Sequence, residues 1–153
     1  MLEEGMKAPM FSGVDQDGKA VSLKDFKDKK VVLYFYPQDD THTCTVEACN
    51  LRDNFSALKK AGIEILGVSP DNEKSHKKFE KKYNLPFRLI ADTDRKIVDA
   101  YGVWGEKTTF GKTYMGLMRT TFLIDEKGVI KKIIWKPKSK VHSEEIMEAW
   151  GSL

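Results

Sequence analysis

The chain has 153 residues, of which 32% are charged and 41% hydrophobic, and its net charge of +3 comes from 26 basic and 23 acidic residues mixed along the sequence. This length predicts one domain, residues 1–153, with a core that needs no metal ion or structural disulfide, and the mixed charge argues against a nucleic-acid partner. The longest apolar run is too short to cross a membrane, and the acidic first residues do not resemble a secretory signal, so we expect a cytoplasmic protein.

Predicted strands and helices alternate along the chain. An N-terminal β-hairpin is expected at residues 11–14 and 20–23, around an Asp-Gly turn. Further strands are predicted at 31–36, 63–68, 87–91, 119–124 and 129–135, and helices at about 43–60, 73–83, 95–101 and 143–150, the last with Ser143 as N-cap. Trp104, Tyr114 and Met115 either line the pocket or pack in the core, and core packing is favoured for each. This order predicts an α/β fold, with a mixed central sheet and helices on both faces.

Both cysteines fall on the helix that follows the strand at residues 31–36. Cys44 lies in the first turn, where unpaired N–H groups and the positive end of the helix dipole favour a thiolate, and it shares an apolar stripe with Ala48. Cys49 comes five residues later, and an intact helix would hold the two Cα atoms about 9 Å apart. A disulfide spans at most about 7 Å, so a bond here requires local unwinding. Such a bond suits a transient catalytic pair better than a structural one.

Other roles for these residues remain open at this point. Cys44 taken alone could be a small buried core residue. The cysteines could bind a metal ion with His42, His76 or His142, although their spacing is looser than in zinc knuckles. We assign the three histidines no role, because none has a carboxylate or hydroxyl partner at an informative spacing. A thioredoxin-like disulfide oxidoreductase would carry Cys-x-x-Cys, which this sequence lacks.

The motif Pro37-x-x-x-Thr41-x-x-Cys44, followed by a second cysteine and by Arg119 before a later strand, resembles the peroxiredoxins. Within them it is similar to the two-cysteine Q type, also called bacterioferritin comigratory proteins. The resemblance covers nearly the whole chain and implies a thioredoxin-like fold. It also implies a peroxidase that reduces hydrogen peroxide and organic hydroperoxides without a metal or other cofactor, recycled by thioredoxin or a similar dithiol. A monomer is favoured over a dimer, and a peroxide sensor is the alternative function.

The resemblance implies a role for each site residue. Cys44 would be the peroxidatic nucleophile, and its sulfenic acid would condense with the resolving Cys49 to form an intramolecular disulfide. Arg119 would favour the thiolate and stabilise charge that develops on the peroxide oxygen.

Three further residues would support this chemistry. Pro37 would shield the thiolate from water, and the Thr41 hydroxyl would contact the sulfur and the peroxide. Thr41 could also be an N-cap or turn residue, and both roles can hold at once. Glu47 matches a position whose carboxylate holds the site arginine, although an acid in a first helical turn also has a favourable interaction with the dipole.

The loop before Cys44 departs from the family pattern. Many Q-type relatives have Pro-Gly where this chain has His42-Thr43. Thr43 is therefore an N-cap candidate, one residue before Cys44. The His42 imidazole titrates at about pH 6.5 in an unperturbed setting, so either its cation favours the nearby thiolate or the ring faces solvent and has no effect.

Overall fold

The computed structural model describes residues 1–152, apart from the side chain of Thr109. In chain order the strands are β1 (Ser12–Val14), β2 (Ala20–Ser22), β3 (Lys30–Phe35), β4 (Ile63–Ser69), β5 (Arg88–Ala91), β6 (Trp104–Thr109), β7 (Lys112–Leu117), β8 (Thr120–Ile124) and β9 (Ile130–Trp135). The helices are α1 (His42–Asp53), α2 (Phe55–Lys60), α3 (Glu73–Tyr83), α4 (Lys96–Ala100) and α5 (His142–Gly151), with short 3-10 turns at Leu23–Phe26 and Ser139–Val141. None of the helices within residues 1–152 is long and apolar enough to cross a membrane.

Five strands form the central sheet in the order β5-β4-β3-β8-β9. The first three are parallel, whereas β8 is antiparallel to β3 and to β9, which confirms the predicted mixed sheet. Side chains of β3 alternate between two hydrophobic clusters: Val31, Leu33 and Phe35 pack with α4 and the first hairpin, and Val32 and Tyr34 pack with α1, α3 and α5. Helices therefore cover both faces, which explains why β3 is buried and free of charged residues from Val31 to Phe35.

The predicted helix at residues 43–60 is two helices, separated at Asn54. The Asn54 side chain donates to the carbonyl oxygen of Asn50 at 2.8 Å, while its backbone N–H bonds to the Arg52 carbonyl instead. Asparagine commonly competes with the helical backbone in this way. Apolar residues keep the helical spacing on both sides of Asn54, so the sequence pattern did not indicate that the helix is interrupted.

The prediction of Ser143 as the N-cap of the last helix is wrong. The helix α5 begins at His142, and Val141 precedes it without a side-chain cap. The Ser143 backbone N–H donates to Asn50 Oδ1 of α1 at 2.8 Å, so a different helix satisfies this free donor.

A second hairpin, formed by β6 and β7, was not predicted. Its tip is Phe110-Gly111, and both residues have positive φ, 53° and 76°, as a two-residue hairpin turn requires. Phenylalanine is an unusual residue for such a turn, which explains the omission. The core-packing prediction is wrong for Tyr114 and Met115, which are 48% and 58% exposed, whereas Trp104 packs against the core.

Candidate active site

Cys44 and Arg119 meet at the end of β3. Cys44 lies in the first turn of α1 and is 1% exposed, and Arg119 Nη2 donates to its sulfur at 3.1 Å. Arg119 directly precedes β8, whose first residue Thr120 pairs with Phe35, the last residue of β3. The antiparallel pairing therefore places the arginine where the chain turns from β3 toward α1. A guanidinium and a helix N-terminus both favour a thiolate at this position.

The loop between β3 and α1 carries Pro37 and Thr41. Pro37 is partly buried, and Thr41 has the extended backbone conformation of an N-cap residue. The helix starts at His42, so Thr41 occupies the N-cap position, one of the two roles considered for it, and the N-cap candidate Thr43 is wrong. The Thr41 hydroxyl donates to the carbonyl of Gln38 at 3.2 Å, and its contact with sulfur and peroxide stays a prediction.

Asp39 lies in the same loop, and its buried carboxylate contacts three polar side chains. Its carboxylate accepts hydrogen bonds from the hydroxyls of Tyr36 and Ser75, each at 2.7 Å, and lies 2.6 Å from His76 Nδ1. The other ring nitrogen of His76 lies 2.9 Å from the Ile90 carbonyl. His76 therefore has a carboxylate partner, although the sequence shows none at an informative spacing. No local pattern could reveal this pair, because the residues are 37 positions apart in the sequence.

Glu47 is fully buried, and its carboxyl group lies close to the guanidinium of Arg119. Its Oε1 is 3.6 Å from Arg119 Nη1, and its Oε2 is 3.8 Å from His142 Nε2. Burial raises the pKa of Glu47 to about 8, although the positive charge of Arg119 opposes the shift. At neutral pH Glu47 is therefore mainly the neutral acid. The sequence placed this acid beside the arginine, as the structure does, and the part of Glu47 in holding Arg119 stays a prediction.

His142, to which the sequence gave no role, also lies in this cluster. Its Nε2 lies 2.9 Å from the Thr121 hydroxyl, and its Nδ1 lies 3.1 Å from Glu145 Oε1. Burial lowers the pKa of His142, against the opposing effect of Glu145. The spacing of His142 and Glu145, three residues apart at a helix start, is a local signal that could have revealed this pair.

The two buried histidines thus contact other protein groups rather than the cysteines. In the part of the chain that the structure describes, no group of three or more His, Cys, Asp or Glu side chains could hold a metal ion.

Cys49 differs from Cys44 in its surroundings. Both thiols are free, and α1 runs without a break through both positions, so ideal geometry separates the Cα atoms by about 9 Å. Cys49 is partly exposed, and burial of its sulfur raises the pKa of the thiol, against the opposing effect of Arg52. The protonated form is therefore favoured at Cys49, as suits a thiol that does not react first with peroxide.

The His42 side chain is exposed on the first turn of α1. Proline is well tolerated at this first helical position, because its missing N–H would have no helical partner. We therefore expect His42→Pro to leave the rate of Cys44 oxidation unchanged from about pH 5 to 8, a range that brackets an ordinary histidine pKa. Stopped-flow rates of both proteins test this. A component near pH 6.5 that only the unaltered protein shows would restore the cationic role considered for His42.

Comparison with known proteins identifies the family of the chain. Residues 5–133 match the family model described as AhpC/TSA family. The chain is 51% identical over 146 residues to a Coxiella burnetii protein named as a peroxiredoxin bcp, covering 95% of this chain and 97% of the relative. It is 45% identical over 147 residues to peroxiredoxin Bcp of Bacillus subtilis, covering 96% and 94%.

A solved structure of Xanthomonas campestris peroxiredoxin Q superimposes with a TM-score of 0.87 at 32% identity, covering 93% of this chain and 90% of that one. This likeness confirms the predicted thioredoxin-like peroxiredoxin fold. With a buried thiol at a helix start and an arginine on its sulfur, the chain belongs to the AhpC/TSA family, among the peroxiredoxins of the Bcp or Q type.

Proposed function

We propose that residues 1–153 act as one domain that reduces hydrogen peroxide and organic hydroperoxides, with Cys44 as the peroxidatic residue. The observation that carries this assignment is the hydrogen bond of 3.1 Å from Arg119 Nη2 to Cys44 Sγ in the first turn of α1. This contact places the positive charge of Arg119 beside the Cys44 thiolate before the peroxide reacts. The same guanidinium can stabilise the charge that develops on the peroxide oxygen, because its remaining N–H groups lie in one plane.

In the first step the Cys44 thiolate attacks the terminal oxygen of the peroxide. The S–O bond forms as the O–O bond breaks, and the leaving oxygen takes a proton to become water or an alcohol. Sulfur is oxidised to a sulfenic acid and the peroxide is reduced. Pro37 limits the access of water to the thiolate in this proposal, and the Thr41 hydroxyl turns from Gln38 to the bound peroxide.

In the second step the Cys49 thiol condenses with the sulfenic acid of Cys44, which releases water and forms an intramolecular disulfide. An external dithiol reduces this bond by exchange, and thioredoxin is the proposed donor. A monomer in the cytoplasm is sufficient for this cycle, since both cysteines belong to one helix and the cytoplasm supplies reduced dithiols.

A structural relative supports the substrate class. A solved structure of the Xanthomonas campestris bacterioferritin comigratory protein is described as giving insights into its alkyl peroxide reduction activity, from a trapped intermediate/ligand complex. Organic hydroperoxides are therefore included beside hydrogen peroxide in the proposal for this chain.

A coupled assay separates a peroxidase from a peroxide sensor. We expect sustained NADPH consumption when the protein is mixed with peroxide, thioredoxin and thioredoxin reductase. A sensor would consume only one equivalent of peroxide and stop. Replacing thioredoxin with glutathione in the same assay tests the choice of reductant.

Oxidation should unwind the start of α1. The intact helix holds the two Cα atoms about 9 Å apart, which exceeds the span of a disulfide, so bond formation must break hydrogen bonds of the first turns. We expect faster amide exchange across residues 41–52 in the oxidised protein than in the reduced protein. Residues 64–68 of β4, which do not touch the reaction, serve as the internal control. Equal exchange of residues 41–52 in both redox states would show that the helix survives oxidation.

A further inference from the structure

The carboxamide of Asn50 joins α1 to the start of α5. Asn50 directly follows Cys49, and its Nδ2 donates to the carbonyl oxygen of Lys140 at 3.0 Å. Its Oδ1 accepts the backbone N–H of Ser143 at 2.8 Å. One planar amide thus bonds to a carbonyl and an N–H of the same neighbouring segment. These two bonds fix the position of residue 50 relative to α5.

Other contacts hold α1 on the same side of Cys49. Arg52 Nη1 donates to the carbonyl oxygen of Tyr83, the last residue of α3, at 2.8 Å. Leu51 is fully buried in the hydrophobic cluster that α1 shares with α3 and α5. The part of α1 that follows Cys49 is therefore tied to two other helices.

The first two turns of α1, residues 42–49, have fewer anchors. In the described part of the chain, their side chains take part in one hydrogen bond, which Cys44 accepts from Arg119. Glu47 approaches Arg119 and His142 at 3.6 and 3.8 Å, which exceeds an ordinary hydrogen-bond distance. The bond between Arg119 and the sulfur weakens when the thiolate becomes a neutral sulfenic acid, because it loses its charge assistance. Oxidation therefore loosens the part of α1 that is anchored least.

Open space lies beside the first turn of α1. A cavity of about 340 Å³ lies between this turn and the segment that precedes α5. It is lined by His42, Thr43, Val46, Lys138, Ser139 and Lys140. The first turn can therefore leave its helical position without displacing the segment to which Asn50 is bonded.

Unwinding also removes backbone bonds from the residues just after Cys49. In an α-helix the N–H of residue i bonds to the carbonyl of residue i−4, so the N–H groups of residues 50–53 depend on the carbonyls of residues 46–49. Once those carbonyls leave the helix, the backbone no longer fixes residue 50 from its N-terminal side. The carboxamide of Asn50 makes bonds that do not depend on this part of the helix.

We propose that Asn50 is a positioning residue for the second step: its carboxamide fixes the end of the unwinding region, so that Cys49 stays in place and Cys44 moves to it. This inference rests on the proposed peroxidase function. In that step the Cys49 sulfur bonds to the Cys44 sulfur as the S–O bond of the sulfenic acid breaks, and the leaving oxygen takes a proton to become water. A thiol that is held in position reacts faster than a mobile one, because less orientational freedom is lost in the transition state.

The kinetic test compares the two steps of the reaction in Asn50→Ser. Serine has a helix propensity close to that of asparagine, and its hydroxyl is too short to bond to both Lys140 and Ser143. Acid quenching at set times after mixing with peroxide, followed by mass spectrometry, gives the amounts of thiol, sulfenic acid and disulfide. We expect an unchanged first oxidation and a disulfide formation that is about tenfold slower. More Cys44 should then reach the sulfinic acid at the same peroxide concentration.

Gln16→Ser is the matched control for this variant. Gln16 Nε2 donates to the Phe87 carbonyl at 3.1 Å, and its Oε1 accepts the N–H of Leu89 at 2.8 Å. This carboxamide makes the same pair of backbone bonds as Asn50, but it joins the first hairpin to β5. We expect both steps to keep their rates in Gln16→Ser. Disulfide formation in Asn50→Ser that is as fast as in this control, or faster, would overturn the inference.

The backbone N–H of Ser143 reports on the contact in the unaltered protein, because it is the donor to Asn50 Oδ1. Its hydrogen exchange should be equally slow in the reduced and oxidised proteins, while residues 41–52 exchange faster after oxidation. In Asn50→Ser the same amide should exchange faster in both redox states. Faster exchange of Ser143 in the oxidised unaltered protein would show that the contact opens. That result would overturn the inference even if Asn50→Ser does not fold.

A chemical oxidant separates this inference from the peroxidase proposal. If peroxide does not oxidise Cys44 rapidly, the peroxidase proposal fails. Diamide, which oxidises pairs of thiols directly, then forms the disulfide between Cys44 and Cys49 without peroxide. Exchange of the Ser143 amide in this form decides the inference on its own. If diamide leaves both thiols reduced, the inference is also overturned, because no unwound state exists for Asn50 to limit.

Discussion

We expect Cys44→Ser to abolish peroxide reduction, whereas Cys49→Ser should retain one rapid oxidation and then stop. Only Cys44 combines the helix N-terminus with the guanidinium of Arg119 on its sulfur. Cys49 is five residues further along α1, and burial raises the pKa of its thiol, so it is not prepared to attack peroxide. Its removal should affect only the second step, in which the sulfenic acid is resolved.

Mass spectrometry after one equivalent of peroxide separates the two variants. In Cys49→Ser, a reagent selective for sulfenic acids should label Cys44, and excess peroxide should drive this residue to the sulfinic acid. Cys44→Ser should remain unmodified at Cys49 over the same time. The two variants are matched controls for each other, because each removes one sulfur from the same helix. Equal loss of the first oxidation in both would refute the assignment of Cys44 as the peroxidatic residue.

Replacing Arg119 with methionine should slow the first oxidation by about 100-fold or more, since the loss of one preorganised donor at a reacting centre typically costs this much. Methionine preserves much of the side-chain volume and removes the cation. It also removes the positive charge that lowers the pKa of Glu47, so this carboxyl should stay neutral over a wider pH range. The fold should persist, because the arginine side chain remains 20% exposed and lies outside the two hydrophobic clusters.

Arg88→Met is the matched control for this variant. Arg88 loses the same charge, but its contacts are with Asp15 and the carbonyl of Ala20, at the N-terminal hairpin. We expect its oxidation rate to equal that of the unaltered protein. If Arg119→Met reacts with peroxide as fast as Arg88→Met, the hydrogen bond to Cys44 has no role in the first step.

The sequence was sufficient for the parts of the fold that depend on neighbouring residues. The alternation of buried side chains in β3 and the helical stripe of Cys44, Ala48 and Leu51 follow from local periodicity, and both appear in the structure. The same periodicity was misleading at Asn54. It predicted one continuous helix, but the Asn54 side chain bonds to the Asn50 carbonyl and the helix ends there. The hairpin with Phe110 at its tip was missed for a related reason, because its positive φ occurs in a residue that seldom adopts it.

The order of residues is enough to predict a thiol at the start of the helix after a buried strand, and a second thiol on the same helix, because strand and helix periods are properties of consecutive residues. The charges that surround the first thiol follow from the packing of distant elements. Arg119 reaches Cys44 across 75 positions of sequence because β8 pairs with β3, and His142 reaches Glu47 because α5 packs on α1. Distances between side chains of different elements depend on how those elements pack, and a single sequence does not contain that information in any local pattern.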